Sequence, residues 1–179
     1  DLVCTSHAFR FKTLRPRGGG VENVTVERIR ASVTGSALLC DQLNSVKWAG
    51  DLAYRYAVEG KEHATAAEIA ALKGPYTPDF HTVRISDVVI GHCDRLLNFV
   101  CTPELPFRDI LFRNVRAQAD HFGSLRDARS LVLQGVELRT SDPVLTLDGS
   151  EGIFLLDVRV NGGAPEARQT GVPSSVIVH

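Results

Sequence analysis

Five segments of this 179-residue chain share one arrangement of apolar positions: an apolar residue, a gap, a second apolar residue, two further positions and a third apolar residue. They are Val24-Thr-Val26-Glu-Arg-Ile29, Val83-Arg-Ile85-Ser-Asp-Val88, Ile110-Leu-Phe112-Arg-Asn-Val115, Leu131-Val-Leu133-Gln-Gly-Val136 and Ile153-Phe-Leu155-Leu-Asp-Val158. The first two apolar positions alternate as in a strand, where successive side chains point to opposite faces. The residue before the third is Arg28, Asp87, Asn114, Gly135 or Asp157. Four of these are turn formers, so the chain is expected to bend there. A second apolar strand follows at a fixed offset. Ala37-Leu-Leu39, Leu96-Leu-Asn-Phe99 and Val144-Leu-Thr-Leu147 each begin 13 positions after the start of their unit, with Phe122 near the expected place in the looser rung. Successive units start 27, 21 and 22 residues apart after Val83, whereas the first interval, 59 residues, contains an insertion.

Units of this size, made of short strands and bends without a helix between them, predict an all-β parallel β-helix, in which each coil buries its apolar side chains only by stacking on its neighbours. A β-sandwich is the alternative for regularly spaced short strands. The hairpin signals it would use are scarce, Asp148-Gly and Asn161-Gly being the only Asp-Gly or Asn-Gly pairs. The coils are expected over residues 1–163, interrupted by the insertion Ser45 to Tyr76, and residues 164–179 are expected to form a C-terminal tail. The insertion carries one helical stretch, Lys61 to Leu72, alanine-rich and ended by Gly74-Pro75. Loops this long in a solenoid are commonly functional. Trp48, Tyr54 and Tyr56 would serve there either as platforms for sugars or as pins holding the insertion to the coil. Gly162 to Pro173 reads as irregular and exposed, and Ser174 to His179 as a short last strand or a frayed end.

Composition narrows this only a little. Apolar content of 44% and charged content of 23% are globular values, and no apolar run approaches a membrane span. A net charge of -1 argues against a protein that binds nucleic acid mainly through backbone electrostatics. The chain starts at Asp1 and has no methionine, which reads as a piece of something longer or a processed form. Cys4, Cys40, Cys93 and Cys101 include no C-x-x-C pair, so buried thiols are expected rather than a metal site.

The most informative charges lie in His7-Ala-Phe-Arg-Phe-Lys-Thr13, before the basic glycine-rich turn Leu14-Arg-Pro-Arg-Gly-Gly-Gly20. In an extended strand Phe9 and Phe11 face one way while Arg10 and Lys12 face the other. Two cations side by side suit a sugar acid or phosphate, since a guanidinium grips an oxyanion bidentately and an ammonium adds a compact charge. The plainer reading is an amphipathic strand with a solvated basic face. His7 and Asp41 have capping or turn roles as their plainer readings, and His92, in Gly91-His92-Cys93, reads as a coil-end histidine.

These residues resemble a known family. Ala8-Phe-Arg-Phe-Lys-Thr13 with Arg17-Gly-Gly19 and Val21-Glu-Asn-Val24 is similar to the R-I-K segment and the following R-G-G-x-V-E-N-I run of glycoside hydrolase family 28, the polygalacturonases and their relatives. Ala37-Leu-Leu-Cys-Asp41 resembles the strand after it, Thr77-Pro-Asp-Phe80 the T-P-x-F opening of the next coil, and Pro103-Glu-Leu-Pro106 the L-P-E-x-P turn. The likeness runs from about Cys4 to Asn161, against the C-terminal half of that family's catalytic domain. It implies a right-handed, single-stranded parallel β-helix of the pectin-lyase type and inverting hydrolysis of α-1,4-galacturonide links. It also implies secretion or a periplasmic location, because the substrate lies outside the cytoplasm.

Inversion uses one carboxylic acid to protonate the leaving oxygen and one carboxylate to activate water. The family supplies these from N-x-D and D-D motifs, with a G-H-G histidine, before the R-I-K strand. This chain has none of them. The resemblance therefore implies no catalytic residue here, and no metal or other cofactor. It implies substrate binding by Arg10 and Lys12 and, at the place of a common family tyrosine, by Asn44. The expected partner is an acidic polysaccharide, whether pectin, polygalacturonate or rhamnogalacturonan, with no nucleic acid and no membrane. Self-association through an open N-terminal coil is a further expectation. Two functions follow: the basic, substrate-binding part of a pectic hydrolase, or a non-catalytic module that binds acidic polysaccharide or mediates assembly.

Overall fold

The computed structural model describes residues 2–3, 6–13, 18–43 and 77–179. Asn44, the Ser45 to Tyr76 insertion with its expected helix, Cys4 and Arg17 lie outside them. Eleven strands follow in chain order: β1 (Leu2–Val3), β2 (Phe9–Lys12), β3 (Gly20–Val21), β4 (Val24–Ser32), β5 (Leu38–Asp41), β6 (Asp79–Val100), β7 (Phe107–Arg126), β8 (Ala128–Asp148), β9 (Glu151–Val160), β10 (Glu166–Gln169) and β11 (Val176–Val178). Every ladder among them is parallel, and each coil hydrogen-bonds to the next. The only antiparallel contacts among the described residues are isolated bridges, Thr102 to Leu105 and Val160 to Gly163. The fold is a parallel β-helix, and the sandwich alternative fails because it would need antiparallel pairs.

The repeat in the sequence is the stacking of the coils. Val24, Val83, Ile110, Leu131, Ile153 and Val176 lie in register down one wall, as do Val26, Ile85, Phe112, Leu133, Leu155 and Val178. Ile29, Val88, Val115, Val136 and Val158 begin a second wall. The strand expected at the 13-residue offset forms a third, where Leu38 pairs with Leu97, Leu97 with Gly123, and Gly123 with Leu145. Phe122 is fully buried beside Gly123, where the looser rung was expected. Gly123 is required there, because a Cβ would stand 1.9 Å from the Leu97 carbonyl oxygen. Val24 pairs directly with Val83, so the 59-residue interval spans a single rung.

The walls meet at left-handed residues. Arg28, Asp87, Asn114, Gly135 and Asp157 have φ of 57°, 58°, 52°, 61° and 49°, so the expected bend occurs in all five units, Arg28 included. A second such column, Asn23, Thr82, Asp109, Ser130 and Gly152, opens the first wall. Asn and Asp recur because their short polar side chains tolerate this region better than others. Inside, Phe11, Phe80, Phe99 and Phe107 form one aromatic cluster with centroids 5.0 to 6.4 Å apart. Burying each large side chain contributes roughly 1.5–3 kcal/mol.

The tail departs from its expected irregularity. Strand β10 lies within Gly162 to Pro173, yet it pairs with β8, Ala167 opposite Leu145 and Gln169 opposite Leu147. Beyond it, β11 pairs with β9. Backbone hydrogen bonds hold these segments while most of their side chains face solvent, and only Ala167 and Val176 pack on the core.

Candidate functional site

Strand β2 forms the first rung of the third wall, in register with β5 from Phe9–Leu38 to Lys12–Asp41. Its aromatic side chains pack on the core. Arg10 and Lys12 are exposed on the opposite face, as the alternation predicts. The outward column continues from Arg10 through Leu39, Asn98, Ser124 and Thr146 to Arg168, and its neighbour from Lys12 through Asp41, Val100 and Arg126 to Asp148. The rung beneath β2 carries the buried Leu39 and the carboxyl of Asp41; beyond it the face is mostly polar, with one pair of cations at the β2 end and a second, Arg126 and Arg168, at the far end.

His7, Arg10, Lys12 and Asp41 gather at that end. The Ser36 N–H donates to His7 Nδ1 at 2.9 Å, which leaves the proton of the neutral ring on Nε2. A Cβ on Gly35 would stand 2.6 Å from the same ring, so the close fit depends on that glycine. Burial, then the charge of Arg10, pulls the His7 pKa below its usual value. Asp41 accepts from the Leu43 N–H at 3.1 Å. Burial raises its pKa, opposed by that hydrogen bond and by Arg10, Lys12 and His7. Two exposed cations, a neutral imidazole and a half-buried carboxyl can bind and orient an anionic sugar. They do not supply the separated acid and base of an inverting glycosidase.

Gln42, next in the chain, was not visible as a site residue from sequence. It is fully buried. Its Nε2 donates to the Pro78 and Leu105 carbonyls, each at 3.0 Å, and its Oε1 accepts from the Thr102 N–H at 2.9 Å. One side chain thus ties the chain on either side of the insertion to the 102–105 turn. A glutamine immediately before a long insertion is the only sequence signal it leaves.

Farther down the wall, Asp127 lies against Gly149, whose Cβ would stand 2.7 Å from Asp127 Oδ1. Burial pushes its carboxyl up to about 6; Arg126 opposes the shift, and Asp148 and Glu104 add to it. His92 is half exposed, with Nε2 3.8 Å from Asp120 Oδ2, at the turn into the third wall. That position fits a coil-end histidine. Cys40, Cys93 and Cys101 are free and buried. Among the described residues no group of three or more His, Cys, Asp or Glu side chains is placed to hold a metal ion, and no helix is long and apolar enough to cross a membrane.

No protein-family model, no curated protein and no solved structure matches the chain.

Proposed function

We propose that the outward face of the third wall binds an acidic, pectin-like polysaccharide, with Arg10 and Lys12 gripping a uronate carboxylate. The observation that carries this reading is that both cations stand exposed on one face of β2, with Asp41 in register beside Lys12 and His7 at the entry to the strand. Paired cations take the acid group, and Asn98, Ser124 and Thr146, beyond the buried Leu39, offer hydrogen bonds to sugar hydroxyls along an extended chain. On this reading the chain supplies the basic, substrate-binding part of a glycosidase like those of family 28, acting outside the cytoplasm. The proton transfers of hydrolysis would come from carboxyl groups that this sequence does not carry in the family's motifs. Support comes from the β-helix architecture and from the residue-by-residue likeness around Arg10 and Lys12.

The test is binding of galacturonate oligomers to this chain and to the Arg10→Ala, Lys12→Ala double variant, at low and moderate salt. Binding that weakens with salt and loses the equivalent held at the β2 face in the variant supports the reading. Unchanged stoichiometry and affinity in the variant overturn it.

A further inference from the structure

A second groove runs along a different wall of the coil. The outward column of the second wall reads Arg30, Val89, Arg116, Glu137 and Arg159, each in register with the next. Together with the left-handed bend column these residues line a groove of about 740 Å³. A neighbouring hollow of about 510 Å³ shares Val89, Arg116, Glu137 and Arg159 and adds Arg139. The groove spans five rungs of a regular solenoid, so its chemistry repeats along a line.

The geometry points to a second binding site for an extended acidic polysaccharide, separate from the face of Arg10 and Lys12. The groove lining carries four arginines, Arg28, Arg30, Arg116 and Arg159, against three acidic residues, Asp87, Glu137 and Asp157, and three of the arginines stand in the outward column with one glutamate. The arginines occupy every second rung, about 10 Å apart at the usual strand spacing. In a two-fold conformation a 1,4-linked chain turns the acid groups of successive sugars to opposite sides, with a rise per sugar close to the spacing between neighbouring strands. Acid groups facing the protein therefore recur every second sugar, in phase with Arg30, Arg116 and Arg159. Between the first two arginines Val89 is 44% exposed, an apolar seat for the carbon face of a sugar ring.

The existing ion pairs do not block such a ligand. Arg116 Nε lies 3.4 Å from Glu137 Oε2 and Arg159 Nε 3.8 Å from Asp157 Oδ1, and all four side chains are at least 66% exposed. Exposed pairs of this kind hold their partners weakly, so each guanidinium can turn to a carboxylate on the ligand. A folded protein partner would favour a broader patch with aromatic anchors and few charges at its centre. The line of regularly spaced cations favours a linear polymer.

The test is calorimetric titration of the chain with an oligogalacturonate long enough to span five rungs, beside a neutral glucan and a single-stranded RNA. Two equivalents of the oligogalacturonate are expected to bind. The Arg30→Ser, Arg116→Ser, Arg159→Ser variant should lose one of them, its affinity falling about tenfold or more from three lost charge contacts. The Arg10→Ala, Lys12→Ala variant should keep that same equivalent, so this site and the β2 site fail or stand separately. Glu137→Gln removes a competing carboxylate and should tighten the second site, a gain that misfolding does not produce. Unchanged stoichiometry and affinity in the triple variant overturn the proposal, as does tighter binding of the RNA than of the oligogalacturonate.

Discussion

Asn114 Nδ2 donates to Asp87 Oδ1 at 3.0 Å across one rung, and both residues sit in the left-handed region, at φ of 52° and 58°. The side chains that tolerate the bend also tie successive bends together. A Cβ on Gly135, in the next coil, would come 3.3 Å from Asn114 Oδ1, so the small residue there leaves room for the amide.

A β-branched residue at this bend should therefore be costly and glycine cheap. Asn114→Val is expected to lose about 2 kcal/mol, from left-handed strain and one exposed hydrogen bond. Asn114→Gly should stay within about 1 kcal/mol, because glycine adopts the conformation freely while losing the bond. Urea denaturation of the two variants measures the difference. Equal stabilities would remove the bend as the cause.

The bends and walls were legible because both are written as residue type at fixed spacing. Val83, Ile85 and Val88 announce two strand faces and the bend between them, and the next coil repeats the pattern. Strand β10 carries no such signal: its polar side chains face solvent, and its pairing is a matter of backbone alone. On β2, alternation exposed the cationic face of Arg10 and Lys12. The placing of Asp41 beside Lys12, and the bond from Ser36 to His7 across 29 residues, depend on which rung stacks on which, and no local pattern encodes that. The second-wall groove was missed for the same reason, since Arg30, Arg116 and Arg159 become a line only in register.

Asp127 should make stability depend on pH in an unusual direction. Its carboxyl is pushed up to about 6, chiefly by burial, from the usual 3.8. The folded state therefore binds this proton more tightly than the unfolded chain. Its contribution is most favourable below about pH 4 and is lost as pH rises through 6. Asp79 works oppositely: hydrogen bonding from Arg108 lowers its pKa, so its contribution is present at neutral pH and lost on acidification. Asp127→Asn should raise stability by about 1–2 kcal/mol at pH 7 to 8, discounted for screening beside Arg126, with the gain disappearing near pH 4. Thermal melts of both proteins across this range decide it. A gain that is the same at every pH would mean that ionisation is not the cause.

The buried thiols should be inert in the folded chain. Burial raises the Cys40 pKa well above its usual value, with Cys101 as hydrogen-bonding neighbour, and pushes Cys93 up to about 12. Since the thiolate is the nucleophile, neither should alkylate at pH 8 except through opening of the coil. Peptide-resolved mass spectrometry after iodoacetamide treatment should show modification of Cys40 and Cys93 only when urea is added. Rapid labelling in native buffer would contradict the packing described for both.

Gln42 provides the sharpest test of what ties Pro78 and the 102–105 turn to the end of β5. Its amide satisfies two carbonyls and one N–H from two separate segments, Pro78 and the 102–105 turn, in a place where the side chain is fully buried. Leucine there fills similar volume but pairs with none of the three, and each buried polar group left unpaired costs about 1–3 kcal/mol. Some of those groups can regain water, so Gln42→Leu is expected to cost about 2–4 kcal/mol in all. The loss should also be local: the Thr102 amide should exchange its hydrogen much faster, while Val136, deep in the next coils, exchanges only through global opening. Because Asp41 precedes Gln42 directly, the variant should weaken galacturonate binding at the β2 face and leave the Arg30 to Arg159 groove untouched. A Gln42→Leu protein within 0.5 kcal/mol of the parent, with Thr102 still protected, would mean that the clamp is held by other contacts.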